Sequence, residues 1–218
     1  MIIDATLISL KVVIISVIIT LFISILAIAF ISRSNRKWIK YLEVLIILPM
    51  FIPPSAIGYL ILLILGKNGF MGKILNNSFD ISIIFTISAA VIASIIVTIP
   101  IMYQSIKAAT LSIDTEIKEA ARICGANEFI IFTKIILPLS IRGIFTGILL
   151  SFARSFGEFG ATILVAGNIP GKTQTIPMAM YYAIENNNNE EAIRILIIVL
   201  IVAMILMNIY SYLSNKVS

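Results

Sequence analysis

Histidine is absent from the 218 residues and Cys124 is the only cysteine, so imidazole bases, Cys/His dyads, disulfides and Cys/His zinc sites are outside the chain's means. What could still do chemistry is a handful of charged side chains at particular spacings. Arg154 stands one helical turn before Glu158, with glycines at 157 and 160. The four-residue spacing predicts an intrahelical ion pair if the helix persists. The alternative is that Glu158 only reaches a headgroup layer. Gly157 and Gly160 allow close helix approach or a break. Further on, Ala166 to Thr173 fits a relaxed phosphate-loop pattern, in which glycine amides and a lysine cradle a nucleotide. That pattern needs a preceding core strand, a following helix and a metal-holding aspartate, and an apolar helix precedes it here. No bound nucleotide and no metal is expected in this chain. Lys172 is then a solvated cation, and Asn168, Pro170, Gly171, Lys172 and Thr173 are candidates for a docking surface.

The elements that must position these residues are written in the composition. Hydrophobic residues make up 60% of the chain and charged residues 12%, against roughly 45–50% and 25% in a soluble domain. That much apolar surface belongs in lipid. A bilayer core about 30 Å thick needs roughly 20 apolar residues in helix. Five runs meet this need: Leu7 to Ile31, Leu42 to Leu65, Ile81 to Tyr103, Leu139 to Phe156 and Ile193 to Tyr212. Arg142 and Arg154 flank the fourth, the weakest. The first run has no small-residue cleavage site behind it, which predicts a retained helix. Pro49, Pro53 and Pro54 predict a kinked second helix.

The net charge of +5 sits in short loops, not along one face, so it marks topology and no nucleic-acid partner. By the positive-inside rule, Arg33, Arg36, Lys37 and Lys40, together with the long loop 107–134, belong in the cytoplasm. That places the N-terminus outside and the C-terminus, near Lys216, inside. Residues 1–218 read as a single transmembrane domain, with Leu164 to Ile184 open to a short amphipathic helix or to a sixth membrane segment.

The loop 107–138 is the most regular polar part. Asp114 is placed to cap a helix with Glu116 in its first turn, and Ile113, Ile117, Ala120, Ala121 and Cys124 recur at helical spacing. Gly125 supplies a stop, Asn127 caps a second helix, and Pro138 lies where the next span begins. The predicted product is a helix, glycine turn and helix on the cytoplasmic surface. Paired alanines let a partner approach closely. Glu119 and Arg122 either face that partner or pair with each other.

Glu119, Ala120, Ala121, Gly125, Ile135, Leu137 and Pro138, at their spacing over twenty residues, resemble the EAA loop of ATP-binding-cassette (ABC) importer permeases. Four other stretches extend the resemblance over most of the chain from Leu42 onward. Ile52 to Gly72 and Ile99 to Met102 with Ala108 and Ala109 are similar to molybdate permeases. Arg154 to Ala161 resembles a gate-region signature shared by molybdate and sulfate permeases, and Ala166 to Tyr181 looks like the molybdate branch.

The resemblance implies an all-α integral membrane protein with the type-I importer (MetI-like) permease fold, of about five spans, with six as the alternative, in a bacterial or archaeal plasma membrane. It implies a homodimer, two ABC ATPase subunits that bind ATP and magnesium, and an extracytoplasmic oxyanion-binding protein. Glu119, Ala120, Ala121, Arg122, Gly125, Ile135, Leu137 and Pro138 would couple to the ATPase. Arg154, Gly157, Glu158, Phe159, Gly160 and Ala161 would form the gate. The expected activity is non-catalytic: inward movement of molybdate or tungstate by alternating access. The rival readings are a sulfate or thiosulfate permease and an ion-coupled secondary transporter, which would carry intramembrane acidic residues or broken helices in related halves.

Overall fold

A computed structural model describes residues 2–31, 38–80 and 82–215, leaving aside the side chains at 79 and 213–215. Arg33, Arg36, Lys37 and Lys216, on which the topology expectation drew, lie outside the described residues. Among the described residues all regular structure is helical, as lipid requires of a chain that must satisfy its own backbone hydrogen bonds.

Three helices are long and apolar enough to cross a bilayer by themselves: α1 (Ile2–Ile31), α5 (Ile87–Leu111) and α12 (Asn189–Asn215). Two further helix pairs, each bent at a short break, are together long and apolar enough to count as one span each, which gives up to five by length and composition. The first pair corrects the expected kink. Here α2 (Trp38–Ile47) runs into a 3-10 turn at Leu48–Phe51, and α3 (Pro54–Leu65) leaves at 116°. Consecutive prolines explain the size of the turn. Pro54 drives Pro53 out of the helical region, to φ −55° and ψ 136°, and itself opens α3, where a missing N–H costs nothing. The chain therefore breaks and restarts.

A short amphipathic helix, α4 (Phe70–Phe79), follows and ends at Asp80 with φ 52°. Positive φ at Asp80 and again at Phe85 delays the third span, so it begins at Ile87 and not at Ile81, and continues to Leu111. After it come α6 (Thr115–Ile123), α7 (Glu128–Ile130), a π-helical stretch Ile131–Ile136 and α8 (Leu137–Leu139). The span α9 (Ile141–Phe156) leaves this stretch at 66°. Then α10 (Gly160–Ala166) and α11 (Ile176–Glu185) precede α12. The 10 residues of α11 cover about 15 Å, half a bilayer core, so α11 is not a sixth span.

The centre of the molecule is α5, buried through Ala89, Ala90, Ala93, Ser94, Val97 and Thr98. Small side chains here let α1, α9 and α10 pack against it closely, the usual solution where lipid offers no hydrophobic drive between helices. Hydroxyls are matched across the same contacts. Thr20 meets Thr98 at 3.2 Å; Ser94 meets Ser16 at 3.1 Å and Ser155 at 2.5 Å. Near one end of the bundle Lys107 on α5 is ion-paired with Glu43 on α2.

Candidate functional site

Two parts of the chain gather the residues singled out by sequence. The first is an elbow between α5 and α9. Asp114 does take the N-cap position of α6, at φ −53° and ψ 134°, but its side chain makes no capping bond. The far end is built as expected. Gly125 adopts φ 82°, its N–H bonds to Arg122 O at 2.9 Å, and the Ala126 N–H bonds to Ala121 O at 3.0 Å. This double bond pattern with a left-handed glycine is a Schellman terminus, which satisfies the last carbonyls and reverses the chain. Asn127 Oδ1 then accepts from Ile130 N at 2.9 Å and caps α7.

No residue of α6 is buried. Glu119, Ala120, Arg122 and Cys124 are exposed and Ala121 is half-buried. Ile123 is 87% exposed and Phe129 62%, so the elbow presents apolar side chains outward. It is fastened to the body just beyond, where Ile131 and Phe132 are buried and Phe132 joins the core with Ile144 of α9. Neither anchor was singled out in the sequence, although an apolar pair in a charged loop was the available sign. Ile135 and Leu137 are half-buried and Pro138 exposed in the link to α9.

Arg122 has a partner that the sequence reading missed. Its Nε donates to Glu128 Oε1 at 2.7 Å and its Nη2 to Oε2 at 3.4 Å. The glycine turn folds the start of α7 back beside α6, so the favoured carboxylate is across the turn and not Glu119. The hydrogen bond to Glu128, then that group's charge, holds the guanidinium above its ordinary pKa. Both side chains are about half exposed, and exposed pairs contribute little. Arg122→Ala is expected to leave stability nearly unchanged, read as a thermal midpoint near the parent's. A large drop would mean that this pair holds the turn.

The second part is a break in the membrane. The helix α9 ends at Phe156, and α10 restarts at Gly160. Arg154 reaches across the break: its Nη1 lies 2.6 Å from Glu158 Oε2. The expected pair exists, but it joins the last turn of α9 to a residue in the break and is not intrahelical. Glu158 Oε1 accepts from Ala161 N at 2.8 Å, placing a carboxylate on the positive end of α10. Glu158 is 3% exposed, which removes the headgroup alternative. Phe159 stacks at a tilt on Tyr181 of α11, with ring centroids 5.2 Å apart.

The break is seated on the other broken span. A Cβ at Gly160 would stand 3.2 Å from Pro54 Cβ, and one at Gly58 would stand 2.8 Å from Ala161 O. Pro54 at the start of α3 and Gly160 at the start of α10 therefore meet directly, and Gly58 packs against Ala161 one turn further along. Nothing in the spacing marked Gly58; only its place after the prolines could have.

Beyond α10, the segment 167–175 is a closed loop. The N–H groups of Lys172, Thr173 and Gln174 all point at Ile169 O, at 3.0, 2.9 and 3.1 Å. Amides turned onto a carbonyl cannot cradle a phosphate, a second reason to reject the nucleotide pattern. Pro170, Gly171 and Lys172 form the exposed tip and Asn168 is half-buried. Thr173 corrects the docking set: it is 2% exposed, and its hydroxyl donates to Gly167 O at 3.0 Å and accepts from Ile169 N at 3.2 Å. It closes the loop from inside.

The model of the family described as binding-protein-dependent transport system inner membrane component matches residues 19–218. A putative molybdenum transport system permease of Bacillus subtilis is 42% identical over 169 residues, covering 78% of this chain and 74% of that protein. The molybdenum transport system permease of Escherichia coli K12 is 40% identical over 182 residues, 84% and 80% of the two chains. Among solved structures, a bacterial ABC transporter that imports alginate aligns with TM-score 0.76 at 18% identity, covering 99% of this chain and 79% of that one. An amino acid ABC transporter aligns with TM-score 0.69 at 20% identity, covering 99% and 93%. The fold is thus that of ABC importer permeases. With its apolar spans, its broken helix pairs and a family match over nearly the whole chain, this is a multi-pass membrane protein that belongs to the binding-protein-dependent transport system inner membrane components.

Proposed function

We propose that the chain is the permease subunit of an ABC importer that carries molybdate, or the similar anion tungstate, inward by alternating access. Two copies enclose the pathway. ATP is hydrolysed by two separate ABC subunits docked on the elbow, and an extracytoplasmic binding protein delivers the anion to the outer face. The observation that carries this reading is the elbow. Its helix α6 buries nothing in its own chain, turns on a left-handed glycine and is riveted to the foot of α9 through Phe132. A surface built to be gripped stands on the helix that leads to the break.

The route from motor to gate is then short. A push on Ala120 and Ala121 reaches α9 through Ile131 and Phe132. The 16 residues of α9 carry the displacement to Gly157, where the helix gives way. Residues 157–161 act as the gate, with Arg154 and Glu158 holding its two sides together and α3 as its seat. Five spans put the termini on opposite sides, which fits an outside N-terminus, a cytoplasmic elbow and a Pro170 to Lys172 tip facing the binding protein. Because Arg154 is neutralised by Glu158, it offers no free charge to a passing oxyanion, so selectivity rests with the binding protein.

The test is to purify the chain with its ATPase and binding protein in proteoliposomes and to measure ATP hydrolysis with molybdate, tungstate or sulfate outside. Molybdate and tungstate are expected to stimulate hydrolysis and sulfate is not. Stimulation by sulfate alone would assign the sulfate branch. Uptake without the ATPase would end the reading.

A further inference from the structure

Beside the break lies a polar feature that the gate does not use. Ser9 on α1, Ser94 on α5, Ser155 at the end of α9, Glu158 and Thr175 border a small, partly open cavity of about 10 Å³. That is the room for one water. The lining is deeply buried, with Glu158 3% and Thr175 5% exposed, and Ser9 and Ser94 at 2% and 1%. Among the described residues Thr175 Oγ1 has no hydrogen-bond partner. Ser9 Oγ accepts from Ile176 N at 2.8 Å, which leaves its proton to donate inward. Each carboxylate oxygen of Glu158 has one contact, Ala161 N or Arg154 Nη1, and retains a second lone pair. A buried water needs two to four such partners, and these groups supply them.

The alternatives fail on charge. A tetrahedral oxyanion would stand against the Glu158 carboxylate, and Arg154 is already paired with that group. A cation would gain little, since Arg154 already balances the one acidic group present.

We propose that this cavity binds a single internal water that ties the Glu158 carboxylate to the Thr175 hydroxyl, making Thr175 a positioning residue for the gate. The water accepts from Thr175 and Ser9 and donates to Glu158. The loop whose exposed tip is Pro170 to Lys172 ends at Thr175, so the water joins the outer loop to the break. The role in gating rests on the proposed reading of residues 157–161; the water site itself does not.

The test is X-ray hydroxyl-radical labelling of the full chain, which modifies side chains next to ordered waters. Phe156 lines the cavity and is 7% exposed; Phe132, at 6%, is the matched control. Phe156 is expected to be labelled and Phe132 not. Labelling of Phe156 should be lost in Thr175→Val, which removes the hydroxyl, and in Val12→Leu, which fills the cavity. Molybdate-stimulated ATP hydrolysis should be lost with it, and Thr175→Ser should restore both. Three results would overturn the proposal: no labelling of Phe156 in the parent, labelling that survives both variants, or loss of labelling with stimulation undiminished. If Glu158→Gln leaves stimulation unchanged while Phe156 is still labelled, the gate reading falls and the water site stands.

Discussion

Arg154→Ala is expected to destabilise the protein by about 3–5 kcal/mol, the cost of leaving one member of a buried ion pair without its partner, and to abolish coupled uptake. Glu158 is 3% exposed and lies beyond the end of α9, so it cannot swing into water without pulling the break open. With the guanidinium gone, only the Ala161 amide at 2.8 Å remains to hold the carboxylate. The reverse change is milder. In Glu158→Gln the amide still meets Ala161 N, and Arg154, whose side chain is 32% exposed, has an exit for its charge. The pair is therefore asymmetric, and the double variant Arg154→Ala with Glu158→Gln should recover much of the loss, a non-additivity expected of residues in direct contact. Thermal midpoints of the four proteins in one detergent measure this. Equal, additive losses would show that Arg154 and Glu158 do not depend on each other.

Gly58→Val ranks next. A Cβ at position 58 would stand 2.8 Å from Ala161 O, 2.9 Å from Ala161 Cα and 3.2 Å from Leu164 Cδ1. Two of these atoms are backbone, so α3 and α10 must separate. Overpacking of this kind costs about 1–3 kcal/mol, and it falls on the contact between the two broken spans, so folded yield and uptake should drop together. Gly157→Ala is the control. Its Cβ would meet only Ala153 O, at 3.7 Å, and φ there is −89°, so stability should hold. If Gly58→Val is as stable as Gly157→Ala, the two spans are not locked at this point.

How much of this was legible in the sequence depended on range. Run length alone located the spans, because lipid imposes its thickness on every crossing segment. The Schellman turn at Gly125 and the cap at Asn127 were also readable, since both are local. Local chemistry under-specified the rest. Two adjacent prolines predict a bend, but not its 116° nor that it seats α3 against α10 through Gly58 and Ala161. Spacing offers Arg122 a docking partner or Glu119 on its own helix; the turn brings Glu128 to it instead. Thr173 looked like surface because its loop is polar, yet the loop folds its hydroxyl inward to close on Gly167. Gly58 lies in a stretch that carries the family resemblance, but nothing local gives its role, which is set by Ala161 on a helix far along the chain.

The most direct measurement is the sidedness of Cys124, the only cysteine and an exposed one, on the elbow next to Gly125. A membrane-impermeant maleimide needs no engineered residue to report it. If the elbow faces the cytosol and grips the motor, Cys124 reacts in inside-out vesicles, stays unreacted in right-side-out ones, and is protected when the ATPase subunit is bound. Reaction from the outer side, or full reaction with the ATPase bound, contradicts it.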